Sequence, residues 1–320
     1  MNQILITGGA GFIGSHLSEY LLNKNYHVTI LDNLSTGTIQ NVEHLKKHNG
    51  FNIYIDDVRN NKLLNTLIHA NDVIIHLAAT VGVLNIINDP IQTIENNITS
   101  TEQVLKRASV MNKRVILAST SEVYGKSDVI PFSEDGDCLL GASVNSRWSY
   151  ACTKLLDEFL ALAYHKQKGL PITITRFFNT VGPRQSARYG MVIPNFVKQA
   201  LRNDTITVFG NGQQKRCFCH VHDVISAIEQ LIDQPESIGE IYNIGNDEEI
   251  AIYDLAKLVK RKCNSESEIK LISYNDAYQK GFEDMMRRVP SLTKINQLIK
   301  YKPKFNLDNI LSDVISYESR

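Results

Sequence analysis

Seven residues near the N-terminus constrain the fold more than any other stretch. Gly8-Gly9-Ala10-Gly11-Phe12-Ile13-Gly14 follows an apolar run, Gln3-Ile4-Leu5-Ile6-Thr7. It precedes Ser15-His16-Leu17-Ser18-Glu19-Tyr20-Leu21-Leu22, which is apolar at helical spacing. A short, continuous apolar strand is one buried on both faces, as in a parallel sheet. Strand, glycine loop and helix in that order are the context in which a glycine fingerprint binds a dinucleotide. Gly8 permits the tight turn. Gly11 lets the backbone approach a pyrophosphate at the helix N-terminus, where Phe12 and Ile13 follow, and Gly14 lets the helix pack close to the sheet. The spacing is Gly-x-x-Gly-x-x-Gly rather than Gly-x-Gly-x-x-Gly.

The strands that follow repeat the alternation. His27-Val28-Thr29-Ile30-Leu31 ends in Asp32 and Asn33, near the distance beyond the glycines at which an acid meets an adenosine ribose. A carboxylate there repels a 2′-phosphate, and no Arg or Lys stands between Asn33 and Gln40 to reverse this. NAD is therefore expected rather than NADP. Asn52–Ile55 is a third strand, with Asp56-Asp57-Val58 at its end and a helix over 60–70. Asp72–His76 runs into Leu77-Ala78-Ala79, whose small residues leave room for a cofactor across the strand ends. A helix is expected from Pro90 to Ala108, with Asn97 inside it. Arg114–Ala118 ends in Ser119-Thr120-Ser121-Glu122, and Ile172–Arg176 ends in Phe177-Phe178-Asn179. Open α/β sheets place their sites at such carboxyl ends. The series predicts a Rossmann-type, doubly wound parallel sheet over residues 1–180.

Past residue 180 the pattern breaks into helices (191–202, 222–233, 252–259, 307–317) and short strands (205–209, 240–244). We expect a smaller, mixed α/β domain over 181–320 that caps the cleft, with some chain crossing back to the first.

Composition excludes several function classes. Lys plus Arg and Asp plus Glu are 34 each, so nothing points to nucleic acid or an anionic membrane as the main partner. No apolar run approaches the roughly 20 residues of a membrane span. Met1–Thr7 enters a strand with no basic leader, so a cytoplasmic enzyme is expected. The five cysteines are scattered, which favours neither a disulfide framework nor a zinc site. Cys217-x-Cys219 beside His220-x-His222 lacks a matching second pair, so no metal is expected.

Arg147-Trp148-Ser149-Tyr150-Ala151-Cys152-Thr153-Lys154 supplies the chemistry. Four residues apart on a helix, Tyr150 and Lys154 share a face. An ammonium beside a phenol favours the phenolate. Such a pair can take a proton from an alcohol while a nicotinamide takes the hydride.

Taken together, these motifs identify the chain as resembling the extended short-chain dehydrogenases/reductases of the nucleotide-sugar epimerase, dehydratase and decarboxylase group, over nearly its whole length. The resemblance implies a homodimer acting on a nucleotide-diphosphate sugar. It makes Tyr150 the base at the sugar C4 hydroxyl, Lys154 its tuning partner on the nicotinamide ribose, and Thr120 a hydrogen-bond partner of the reacting hydroxyl. Asp57 and Val58 would hold adenine. Asn179, Arg216 and Val83, the last in the loop after the fourth strand, would reach the substrate.

A 4-keto sugar has three fates: epimerisation, dehydration or, with a carboxylate at C6, decarboxylation. Dehydratases of the group carry an Asp-Glu pair where this chain has Ser121-Glu122. Thr120-Ser121-Glu122 resembles the UDP-glucuronate decarboxylases instead. Gly281-Phe282-Glu283-Asp284-Met285-Met286-Arg287-Arg288 resembles a decarboxylase segment that supplies an arginine, here Arg288. The loop 81–89 lacks the tyrosine usual in decarboxylases. Decarboxylation leads, 4-epimerisation is the alternative, and a 4,6-dehydratase, a 4-dehydrogenase or a non-catalytic NAD sensor follow.

Overall fold

The computed structural model describes residues 2–81, 89–274 and 285–320. Seven parallel strands form the central sheet: β1 (Gln3–Thr7), β2 (His27–Asp32), β3 (Phe51–Ile55), β4 (Val73–His76), β5 (Arg114–Thr120), β6 (Ile172–Phe177) and a late strand, Ile241–Ile244. Their order across the sheet is the late strand, then β6-β5-β4-β1-β2-β3. The strand order reverses between β1 and β4, so their carboxyl ends diverge into a crevice.

The period-2 alternation of the strands assigns each side chain to a layer. Ile4 and Ile6 of β1 face one apolar cluster with helices α1 (Phe12–Asn23) and Val221–Ile232, while Leu5 faces a second with α2 (Asn61–Ala70), α3 (Pro90–Val110) and α4 (Ser149–Lys168). Both faces of β1 are covered, which is why its centre, Ile4-Leu5-Ile6, is a continuous apolar run. Asn60 starts α2 by accepting the Leu63 N–H at 3.3 Å, and Asp89 starts α3 with its side chain on Gln92 N at 3.2 Å, ahead of Pro90.

Beyond β6 come β7 (Thr180–Val181), α5 (Val192–Leu201), β8 (Ile206–Phe209), β9 (Lys215–Cys217), β10 (Cys219–His220), α6 (Val221–Ile232), β11 (Ile241–Ile244, the late strand), β12 (Glu249–Ala251), α7 (Ile252–Lys262), β13 (Ile269–Ile272), α8 (Thr293–Ile299) and α9 (Leu307–Glu318). A third apolar cluster joins α5, α7, α9 and β8. Helix α6 and strand β11 return to the first sheet, with β11 pairing with β6 in register Ile241 to Ile174. The expected helices and the longer strands fall where the apolar spacing placed them, to within a few residues. The pairs β9–β12, β7–β10 and β8–β13 were not expected in full, because strands of two to four residues show no alternation.

Candidate active site

The carboxyl ends of the strands open into a cleft of about 1260 Å³. The glycine loop forms one wall. Gly8 has φ +75°, in the left-handed region, and a Cβ there would lie 2.8 Å from the Ala78 nitrogen. A Cβ on Gly14 would lie 2.2 Å from the Gly8 carbonyl. The loop is thus packed against α1 and the end of β4 as closely as backbone allows. Gly11 caps α1 without a side-chain bond, and the first turn, with Phe12 and Ile13, holds no acid. Its N–H dipoles face the cleft and suit a pyrophosphate.

Asp32 ends β2, buried, with Oδ2 accepting the Ala10 N–H at 2.9 Å and Oδ1 the Leu34 N–H at 2.8 Å. Burial pushes its carboxyl up against the pull of those backbone donors. Asn33 Nδ2 donates to Asp57 Oδ2 at 2.9 Å. Arg59, unremarked in the sequence, clasps Asp57 (Nε to Oδ1 2.7 Å) and holds its carboxyl down to about 2. Val58, Leu77, Ala78 and Ala79 line the same wall. Asn97 also lines it, but its amide is engaged: Oδ1 accepts the Thr80 N–H at 2.7 Å and Nδ2 donates to the Thr80 carbonyl at 3.2 Å. It therefore shapes the loop after β4. A cradle that any Cβ would fill, an uncapped helix start and a buried acid at the next strand end together fit a dinucleotide with an unphosphorylated ribose.

The other end of the cleft gathers the polar groups of β5 and α4. Tyr150 and Thr120 share a hydrogen bond, and Thr120 Oγ1 also accepts the Glu122 N–H at 3.2 Å. Tyr150 is half-buried at the cleft wall, and its loss of solvent pushes the phenol well above its ordinary value. The charges of Glu122 and Asp157 push the same way, while the Thr120 bond opposes them. This differs from the expectation that Lys154 would bring the phenol down. Burial is the main reason, and Lys154 Nζ, which donates to Asp157 Oδ2 at 3.0 Å, has its charge offset by a carboxylate.

Glu122 lies between two guanidiniums. Arg147 Nη1 is 2.6 Å from Oε2, and Arg288 Nη1 is 2.8 Å from Oε1. Burial alone would raise its carboxyl, but Arg147, Arg288 and, through space, Arg216 hold it down to about 2. Arg288 Nη1 also reaches Ser121 Oγ at 3.5 Å. The next residue, Arg287, instead pairs with Glu249 on the surface at 2.5 Å. Arg216, on β9, lines the cleft, with Nη1 donating to the Lys215 carbonyl at 2.8 Å. Asn179 lines it too, and its Nδ2 ties the end of β6 to the Cys217 carbonyl at 2.8 Å.

All the expected site residues but one thus border this cleft. Val83 lies outside the described residues, as does most of the 81–89 loop. Arg147 was legible only in the resemblance of its segment. Asp157 had a signal that went unused, since it stands three residues after Lys154 on the same helical face. Among the described residues no group of three or more His, Cys, Asp or Glu side chains could hold a metal. Cys217 and Cys219 are buried thiols, both pushed up to about 12 by burial. His220 stacks on Phe305 at 4.4 Å.

A family model described as GDP-mannose 4,6 dehydratase matches residues 5–314. A UDP-N-acetyl-alpha-D-glucosaminuronate decarboxylase of Bacillus cytotoxicus is 40% identical over 316 residues, 98% of this chain and 97% of that protein. UDP-glucuronic acid decarboxylase 1 of Xenopus tropicalis is 36% identical over 318 residues, 98% of this chain and 72% of its own. The crystal structure of UDP-glucuronic acid 4-epimerase from Bacillus cereus, in complex with UDP-glucuronic acid and NAD, superposes with a TM-score of 0.89 at 30% identity, covering 99% of both chains.

Proposed function

The chain belongs to the family described as GDP-mannose 4,6 dehydratase, and we propose that within it this protein is an NAD-dependent decarboxylase of a UDP-hexuronate. The observation that carries the reading is Glu122, held as an anion between Arg147 and Arg288 beside Tyr150 and Thr120. Dehydration needs an acid to protonate the leaving hydroxyl. Glu122, held near pKa 2, is not that acid, and Ser121 supplies none. Decarboxylation needs no such acid. Its β-keto acid forms once C4 is oxidised.

NAD, when bound, would supply a reversible hydride acceptor for C4 and a positively charged ring that favours the Tyr150 phenolate. The glycine loop and the start of α1 bind its pyrophosphate, and Asp32 its adenosine ribose. Lys154 orients the other ribose. Tyr150 Oη takes the proton of the C4 hydroxyl, with Thr120 fixing the oxygen. In the sugar, the C5–C6 bond then breaks, carbon dioxide leaves, and its electron pair moves into the C4 carbonyl. Tyr150, now a phenol, donates a hydrogen bond to the resulting enolate oxygen, and C5 takes up a proton from water; the C4 ketone then regains its hydride while Tyr150 returns its proton to the oxygen. Arg288 and Arg147 bring planar donors suited to a carboxylate to this end of the cleft, and Arg216 faces the diphosphate. Asn179 lies beside it.

Relatives acting on glucuronate and on its 2-acetamido counterpart support both as candidate substrates. C4 epimerisation of UDP-glucuronate is the second reading, favoured by the likeness to the epimerase of Bacillus cereus. Homodimerisation is proposed through α3 and α4, which pack together and expose Ile91, Leu156 and Phe159. Five free cysteines suit a reducing cytoplasm. Mixing the protein and NAD with UDP-glucuronate or UDP-glucose tests the carboxylate requirement. Rapid transient NADH absorbance with the uronate, and weak turnover of the glucose nucleotide, is expected. Equal turnover of both would defeat the uronate reading.

A further inference from the structure

Behind the proton-transfer pair lies a buried chain of polar groups that the reaction as derived does not use. Asp157 is 1% exposed, and its Oδ2 accepts from both Lys154 Nζ at 3.0 Å and Thr101 Oγ1 at 3.0 Å. Thr101 Oγ1 in turn meets His76 Nε2 at 3.3 Å, and His76 Nδ1 meets Thr7 Oγ1 at 2.7 Å. The chain runs from α4 through α3 and β4 to β1, beneath the glycine loop. A buried carboxylate is costly unless it is paired and hydrogen-bonded. Asp157 is both, and one of its partners is the lysine assigned to the active site.

We propose that Asp157 is a positioning residue of the proton-transfer centre: its carboxylate fixes the Lys154 ammonium in the place from which it orients the nicotinamide ribose. The proposal rests on the reading of Tyr150 as the C4 base. Lys154, a long and flexible side chain, is held at one place by a rigid partner on its own helix. Thr101 holds that partner from the other side.

The remaining charges near Tyr150 are accounted for. Glu122, after β5, also opposes the phenolate, but its charge is shared with Arg147 and Arg288. Glu158, next to Asp157, is bound to Arg176 of β6 at 2.7 Å. His76 is buried, and burial and the charge of Lys154 hold it neutral, down to about 3. Asp157 is thus the carboxylate that acts on the pair from within α4. Its hold on Lys154 is a direct contact at 3.0 Å, so removing the charge releases the ammonium from that place.

The test is nucleotide binding, followed by fluorescence titration with NAD and with ADP, which lacks the nicotinamide half that Lys154 orients. Asp157→Asn and Asp157→Leu remove the charge with different shapes, and thermal unfolding shows that each variant folds. Both should bind NAD about tenfold more weakly than the parent and ADP as tightly, and Asp157→Glu should recover most of the loss. A folded variant that binds NAD as the parent does, or that loses ADP to the same extent, would overturn the proposal. The readout needs no turnover. A wrong substrate therefore leaves it interpretable, whereas failure of the C4-base reading appears separately, as full activity in Tyr150→Phe.

Discussion

Glu122 is largely buried yet ionised, and Arg147 and Arg288 share the task of keeping it so. Glu122→Gln keeps the shape and removes the charge that aligns both arginines, so turnover should fall by about 10²-fold, as small misplacements in active sites do. Steady-state kinetics with a UDP-hexuronate checks this. The same pair gives a pH signature. A carboxyl lowered from 4.5 to about 2 on folding stabilises the protein fully above 4.5 and loses that contribution as pH falls toward 2. Denaturant midpoints between those limits should decline less steeply in Glu122→Gln than in the parent. At this scale sequence reading reached the residues whose types announce their chemistry, such as Tyr150, Lys154 and Glu122. It did not reach Arg147 beside Glu122, because the 24 intervening residues must fold before the two meet. Nor did it foresee that Lys154 would arrive already paired.

The glycine loop is the element whose geometry was most legible, since strand, loop and helix are contiguous and glycine spacing reports backbone approach directly. Gly14→Ala would place a Cβ 2.2 Å from the Gly8 carbonyl and 2.7 Å from the Gly9 Cα, with only backbone to give way. The loop must open, and NAD affinity should drop at least about tenfold, roughly 1.4 kcal/mol, measured by nucleotide fluorescence titration. Helix α4 is tied to the sheet by Glu158 and Arg176, both nearly fully buried, with Ser119 Oγ donating to the same carboxylate. Glu158→Gln strips the charge from a buried pair, and unfolding free energy should fall by about 3–5 kcal/mol, read from urea melts. The two- to four-residue strands of the outer pairs were the least legible elements. Their positions are set by partners distant in the chain, not by their own pattern.

At the scale of the whole molecule, the doubly wound parallel sheet followed from the alternation of strands and helices, while the order of its strands comes from the structure. What alternation could not say is that β11 would return beside β6 and α6 beside α1, carrying residues past 220 back to the first sheet. The return brings Arg216 and Arg288 over the carboxyl ends of β5 and β6, so the site joins residues from 8 to 288. The outward face of α3 and α4 leaves Phe159 66% exposed. If that face pairs with a second copy, Phe159→Glu should convert a dimer to a monomer in analytical ultracentrifugation while the isolated fold melts unchanged. The central claim concerns the fate of the sugar carboxylate. It is tested most directly by offering the NAD-loaded protein UDP-glucuronate and UDP-N-acetylglucosaminuronate labelled with ¹³C at C6 and following the label by NMR. The account predicts that the label leaves as carbon dioxide and bicarbonate with at least one of them, in step with a five-carbon sugar nucleotide. A label retained in a C4-epimerised hexuronate would contradict it.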